Sequence, residues 1–174
     1  MVNIYLLRHA PRKNSSVAGR ADEALPLLEG AVEDFHGRET YRWAAPILIW
    51  AALTDLKAGR IDEAAGHTRQ ALALTRRLGA RAGEAQILYL TGEIASAACE
   101  DNAESSYLEA MSLAQNLGMR PLVAHCHLGL GKLLRRLGVD ERARQELTCA
   151  MTMYREMGMT YWLDTAGAEM KGLE

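Results

Sequence analysis

Between residues 62 and 77 the apolar and small side chains fall at Ala64, Ala65, Thr68, Ala71, Leu72 and Leu74. That is the i, i+3, i+4, i+7 stripe of an amphipathic helix. Asp62 and Glu63 suit the positive end of its dipole, and Gly79 suits its C-terminal stop. The same grammar recurs over 103–116, closed by Gly118, and over 140–156, closed by Gly158. Partner helices are predicted at about 39–57, 81–98 and 121–136. Gly59 ends the first of these, and Pro121 sits in the first turn of the last, where no backbone N–H is needed.

The units repeat. Ala18-Gly19-Arg20-Ala21-Asp22-Glu23-Ala24 returns as Ala58-Gly59-Arg60-Ile61-Asp62-Glu63-Ala64, and the last alanine continues as Ala103 and Ala143, at spacings of 40, 39 and 40. A second alanine follows each by seven residues, at Ala31, Ala71, Ala110 and Ala150. Leu78-Gly79, Leu117-Gly118 and Met157-Gly158 keep the same spacing. Gly92 and Gly131 lie 39 apart, inside predicted helices. Each costs about 1 kcal/mol relative to alanine there. The expected compensation is a close helix–helix approach, most simply against the alanine pair of the following helix. The fold predicted is all-α: a short right-handed α-solenoid of about four antiparallel helix pairs, about eight helices in all, with period about 40. Repeat arrays need caps. A short last helix from Thr160 towards Met170 is the expected one, with Tyr161 and Trp162 covering the final unit and Asp164, Glu169 and Lys171 facing water.

This arrangement resembles the tetratricopeptide repeat family, whose first helix carries Leu-Gly between large residues and whose second carries Ala, a large residue, and Ala. The third full unit matches at His127, Leu130-Gly131, Leu134, Ala143, Leu147 and Ala150. The second matches at Leu88, Thr91-Gly92, Ala95, Ala103, Tyr107 and Ala110, and the first at Leu48, Ala51-Ala52, Asp55, Ala64, Thr68 and Ala71. The match is close at the small positions and loose at the aromatic ones, and the period is longer than the family's. Residues 118–170 also resemble the C-terminal helical tails of large bacterial regulators with an upstream ATPase or nucleotide-cyclase module. That resemblance implies a tail without its enzymatic body. The repeat family's concave surface implies a partner-binding groove on the first helices. Its positions here are His125, Leu128, Lys132, Arg135 and Arg136; Gln86, Tyr89, Glu93, Ser96 and Ala97; and Pro46, Ile49, Leu53, Leu56 and Lys57. Such a groove is basic towards the C-terminus and apolar towards the N-terminus, and suits a peptide with an acidic end and an apolar stretch. The alternative is that Lys132, Arg135 and Arg136 form a solvated face. Arg76-Arg77 read as a charge pair at a helix C-terminus.

Composition narrows the classes. The chain has 174 residues, with 20 Lys and Arg against 22 Asp and Glu, a formal net charge of −2. That argues against a nucleic-acid binder, and no polybasic patch suits an anionic membrane. No apolar run approaches a membrane span. Three irregularly placed cysteines, Cys99, Cys126 and Cys149, make no disulfide framework and fit a reducing cytoplasm.

Residues 1–18 form an atypical N-terminal segment ahead of a repeat domain at 19–174. An apolar start breaks at Pro11 where a first helix is due. The apolar side of the predicted 20–34 helix is then incompletely covered, and self-association, as a homodimer through this end, is expected. Ile4-Tyr5-Leu6-Leu7-Arg8-His9-Ala10 resembles the opening strand of the histidine phosphatases. In that family the histidine is the nucleophile and the arginine holds phosphate. The helical repeats after it leave no α/β sheet to complete such a site. His125-Cys126-His127 is the other candidate. Neighbouring helical residues diverge by about 100°, so the three do not share a face for one metal. Cys126 is read as buried, His127 as filling the large position, and Cys99 and Cys149 as small core or turn residues. The function expected is a non-enzymatic protein- or peptide-binding scaffold with a regulatory role, with no cofactor and no metal. The alternatives are a repeat tail whose only partner is itself and, in a different class, a phosphatase built on Arg8-His9.

Overall fold

A computed structural model describes residues 41–173 of the chain. Every element among the described residues is a helix. The helices are α1 (Tyr41–Ala58), α2 (Ile61–Arg77), α3 (Arg81–Ala98), α4 (Ala103–Asn116), α5 (Arg120–Arg136), α6 (Asp140–Glu156) and α7 (Thr160–Lys171). The chain divides into two compact units, one up to Leu78 and one from Gly79 onward. The atypical first segment, Arg8-His9 and the self-association face predicted at 20–34 all lie outside the described residues.

In the first unit α1 packs along α2. Ala45, Leu48, Ala51 and Ala52 are buried on α1, and Ala64, Ala71 and Leu74 on α2. Asp55 is only 1% exposed yet charged, so it needs partners. It has two: Arg60 Nε donates to one carboxylate oxygen at 2.8 Å, and His67 Nδ1 lies 2.8 Å from the other. Arg76 and Arg77 occupy the last turn of α2, as expected of a C-terminal charge pair.

In the second unit consecutive helices pack side by side across connections of three or four residues, and are therefore antiparallel. The helices stop by backbone chemistry. Gly118 has φ +66°; its N–H reaches Gln115 O at 3.0 Å, and that of Met119 reaches Ala114 O at 2.8 Å. This Schellman arrangement satisfies two carbonyls the helix leaves open. Gly138 and Gly158 do the same for α5 and α6. Helix α3 ends instead on Cys99, at φ +58°. Cys99 stands where the repeat has Gly59 forty residues before and Gly138 thirty-nine after. It is an exposed turn residue, whereas Cys149 is exposed on the body of α6 and is neither core nor turn.

The alanines behave as the pattern requires: Ala103, Ala110, Ala143 and Ala150 are at most 1% exposed. The two helical glycines, however, do not face those alanines. A Cβ on Gly92 would lie 2.8 Å from Tyr107 Cδ1, and one on Gly131 would lie 2.7 Å from Leu147 Cγ. Each glycine thus makes room for the large residue between the alanines of the next helix. Tyr107 also abuts Gly129, whose Cβ would come within 2.5 Å of its ring. The ring is wedged between α3 and α5, and two glycines are needed to seat it.

The last helix packs on α6 and α5. Trp162 is buried, 4.5 Å centroid to centroid from His125 in an edge-on pair and 6.2 Å from Tyr154 in a stacked one. Tyr161 meets Trp162 edge-on but stays exposed. Leu173 joins the same core cluster, and Met151, Met153, Met157, Met159 and Met170 pack around it. Asp164 and Lys171 face solvent, but Glu169 does not: it turns inward and pairs with Arg135 of α5 at 2.7 Å.

Candidate functional site

One cavity of about 240 Å³ opens in the second unit. It is lined by Glu93, Ser96 and Ala97 from α3, Tyr107 from α4, Lys132, Arg135 and Arg136 from α5, and Glu169 from α7. Three pairs among them are repeat-equivalent: Glu93 with Lys132, Ser96 with Arg135, and Ala97 with Arg136, each 39 residues apart. Corresponding turns of α3 and α5 therefore face one space.

The floor is tightly made. Tyr107 is 1% exposed, and its hydroxyl donates to Glu93 Oε1 at 2.9 Å. Burial first, then the Glu93 charge, push the phenol far above its ordinary range, so it remains a donor. On α5, Cys126 is wholly buried, and burial with the Glu93 charge pushes its thiol up to about 12. The rim carries the charge. Arg136 Nη2 donates to Ser96 O at 2.8 Å and also bonds the Ser96 hydroxyl, tying α5 to the end of α3. Arg135 Nη2 pairs with Glu169 Oε2 at 2.7 Å, bringing α7 in as a wall. Gly172 lies against the same guanidinium; a Cβ there would sit 2.6 Å from Arg135 Nη1. Three cations and two carboxylates share the lining, so the cavity holds one excess positive charge.

The groove positions expected from the sequence separate into two groups. Glu93, Ser96, Ala97, Lys132, Arg135 and Arg136, on the later turns of α3 and α5, line the cavity. The earlier-turn positions do not. Leu128 is 2% exposed within the core and has no surface to offer a partner. Tyr89 is buried, its ring 5.9 Å from Tyr107 and 6.1 Å from His125. His125 is half-buried, with Nδ1 2.7 Å from the Tyr154 hydroxyl, and belongs to the aromatic stack beneath Trp162. Gln86 is half-buried on α3, away from the cavity. In the first unit Pro46, Ile49, Leu53 and Leu56 are half-buried and Lys57 is exposed.

Two lining residues were not foreseen. Tyr107 was placed as a packing residue, and only the depth of the cavity brings it to the floor. Glu169 was placed in solvent; its spacing from Trp162, seven residues or two turns, puts it on the inward face and was the available signal.

His125, Cys126 and His127 diverge. His125 turns to Tyr154, Cys126 into the core, and His127 Nδ1 to Glu146 Oε2 at 2.6 Å. Among the described residues no group of three His, Cys, Asp or Glu side chains is placed to hold a metal ion. No helix among them is long and apolar enough to cross a membrane. The chain matches no family model and no curated protein.

Proposed function

We propose that the chain is a non-enzymatic binding module of the helical-repeat kind, and that the cavity walled by α3, α5 and α7 receives an acidic segment of a partner protein. The observation carrying this reading is the lining itself. Three repeat-equivalent pairs from successive first helices converge on one space, and the α5 member of each pair is a cation. In α-solenoids, including those of tetratricopeptide type, preformed surfaces of this sort serve recognition. Arginine and lysine select carboxylates by charge-assisted hydrogen bonds. The size fits the same reading: about 240 Å³ is below the range of drug-sized pockets and suits a side chain or two of a larger ligand.

A displayed random-peptide library panned against the chain tests this. Sequences rich in Asp and Glu are expected to enrich and to be lost on a Lys132→Glu variant of unchanged helicity. Failure of any sequence to enrich, or retention of the enriched set by Lys132→Glu, would remove the reading.

A further inference from the structure

We propose that Glu169 is the resident counter-ion of this cavity, and that an acidic side chain binds by exchanging with it at Arg135, loosening the later turns of α7 on α5. The inference rests on the reading that the cavity receives a partner, and adds how that binding is controlled.

Glu169 is itself a carboxylate on the rim, 2.7 Å from a cavity cation, so it already occupies the place a ligand carboxylate would take. The pair is single-ended. Glu169 engages Nη2, while Nε of Arg135 is buried with no acceptor among the described residues. A single-ended pair is weaker than a forked one. Both partners keep solvent contact, with side chains 36% and 23% exposed, which weakens the pair further and gives an incoming anion access.

The helix carrying Glu169 is shorter than its neighbours. It has 12 residues, against 17 for α5 and α6. Its anchor on α6 is apolar, through Trp162 and Ala166 into the core cluster, and Arg144 Nη2 holds Leu173 O at 2.6 Å. The Arg135–Glu169 pair ties the helix to α5, beside the edge-on contact of Trp162 with His125. Loss of the ion pair loosens the later turns of α7 on α5 while Trp162, Ala166 and Leu173 stay seated in the core. The exchange needs no change in charge count: one carboxylate leaves the guanidinium and another arrives, and the departing Glu169 is solvated by water.

The test uses a fluorescein-labelled hexaglutamate peptide and the full chain. Anisotropy titrations are run on the wild type, Glu169→Gln and Glu169→Asp, with Lys132→Glu as the binding-loss control and amide hydrogen exchange on the wild type. Glu169→Gln is expected to bind about fivefold tighter, the weight of one partly exposed ion pair. Glu169→Asp, which keeps the charge on a shorter arm, should fall between. Peptide binding should speed exchange in the later turns of α7 and leave α5 unchanged or slower. Equal affinity of all three forms, with binding still lost in Lys132→Glu, would overturn the exchange and leave the binding reading standing. Absence of binding to every form, Glu169→Gln included, would overturn both.

Discussion

Alanine at Gly129 should destabilise the chain, whereas alanine at Gly167 should stabilise it. Both glycines lie inside helices, so intrinsic propensity favours alanine at each by about 1 kcal/mol. The surroundings differ. Nothing lies within 4 Å of a Cβ at Gly167, so the propensity gain is realised there. At Gly129 the new methyl would meet Tyr107 at 2.5 Å from Cε1 and 2.7 Å from Cζ. The ring cannot swing clear: Gly92 hems it on the other side, Tyr89 lies 5.9 Å away, and the hydroxyl is bonded to Glu93. Overpacking of this kind costs about 1–3 kcal/mol, which outweighs the propensity gain. The two variants should then differ by that overpacking cost, about 1–3 kcal/mol, or about 2–12 °C in Tm for a chain of this length. Thermal melts followed by helical circular dichroism measure this directly. Adding Tyr107→Leu to Gly129→Ala should recover part of the loss, since Leu147 fills the equivalent place against Gly131. If Gly129→Ala melts with or above Gly167→Ala, Tyr107 is not wedged as described.

Further outcomes follow from other contacts. Cys99→Gly should raise stability by about 1 kcal/mol in urea unfolding, because glycine adopts φ +58° without the Cβ penalty. Under iodoacetamide at mildly alkaline pH, mass spectrometry should show Cys99 and Cys149 modified and Cys126 spared until denaturant is added, since Cys126 is buried and its thiol is pushed up to about 12. The same shift makes stability depend on pH. Above the ordinary thiol value of 9.0 the unfolded chain loses a proton that the folded chain keeps, so stability should fall from pH 9 towards 12; the raised Tyr107 phenol adds to the fall above pH 10, and Cys126→Ala should remove the part that begins at pH 9. Asp55→Asn should cost about 2 kcal/mol in urea unfolding by weakening its buried contacts with Arg60 and His67, a cost reduced by their partial exposure.

Helix positions were legible because their signals are local. The predicted bounds at 103–116 and 140–156 coincide with α4 and α6, and Pro121 marked the start of α5 within a residue. The starts carry no side-chain caps: the residues before α2, α3, α5 and α6 are Arg60, Ala80, Met119 and Val139. What announced them was the glycine one place earlier, closing the previous helix. Repeat phase also carried Glu93, Ser96, Ala97, Lys132, Arg135 and Arg136 to the cavity. It failed at Tyr89, His125 and Leu128, because those turns are covered by α7 and by aromatic stacking, and burial by a non-repeating cap leaves no periodic trace. Likewise the partner of Gly92 was a matter of side-chain reach: Tyr107 spans the gap that the alanines only frame.

The central claim is that the later turns of α3 and α5 bind an acidic partner. Backbone amide NMR of the labelled chain, titrated with an acidic peptide taken from the library selection, tests it most directly. The account predicts saturable shifts centred on Glu93, Ser96, Ala97, Lys132, Arg135 and Arg136 and extending into the later turns of α7. Shifts centred elsewhere, or none at saturating peptide, would contradict it.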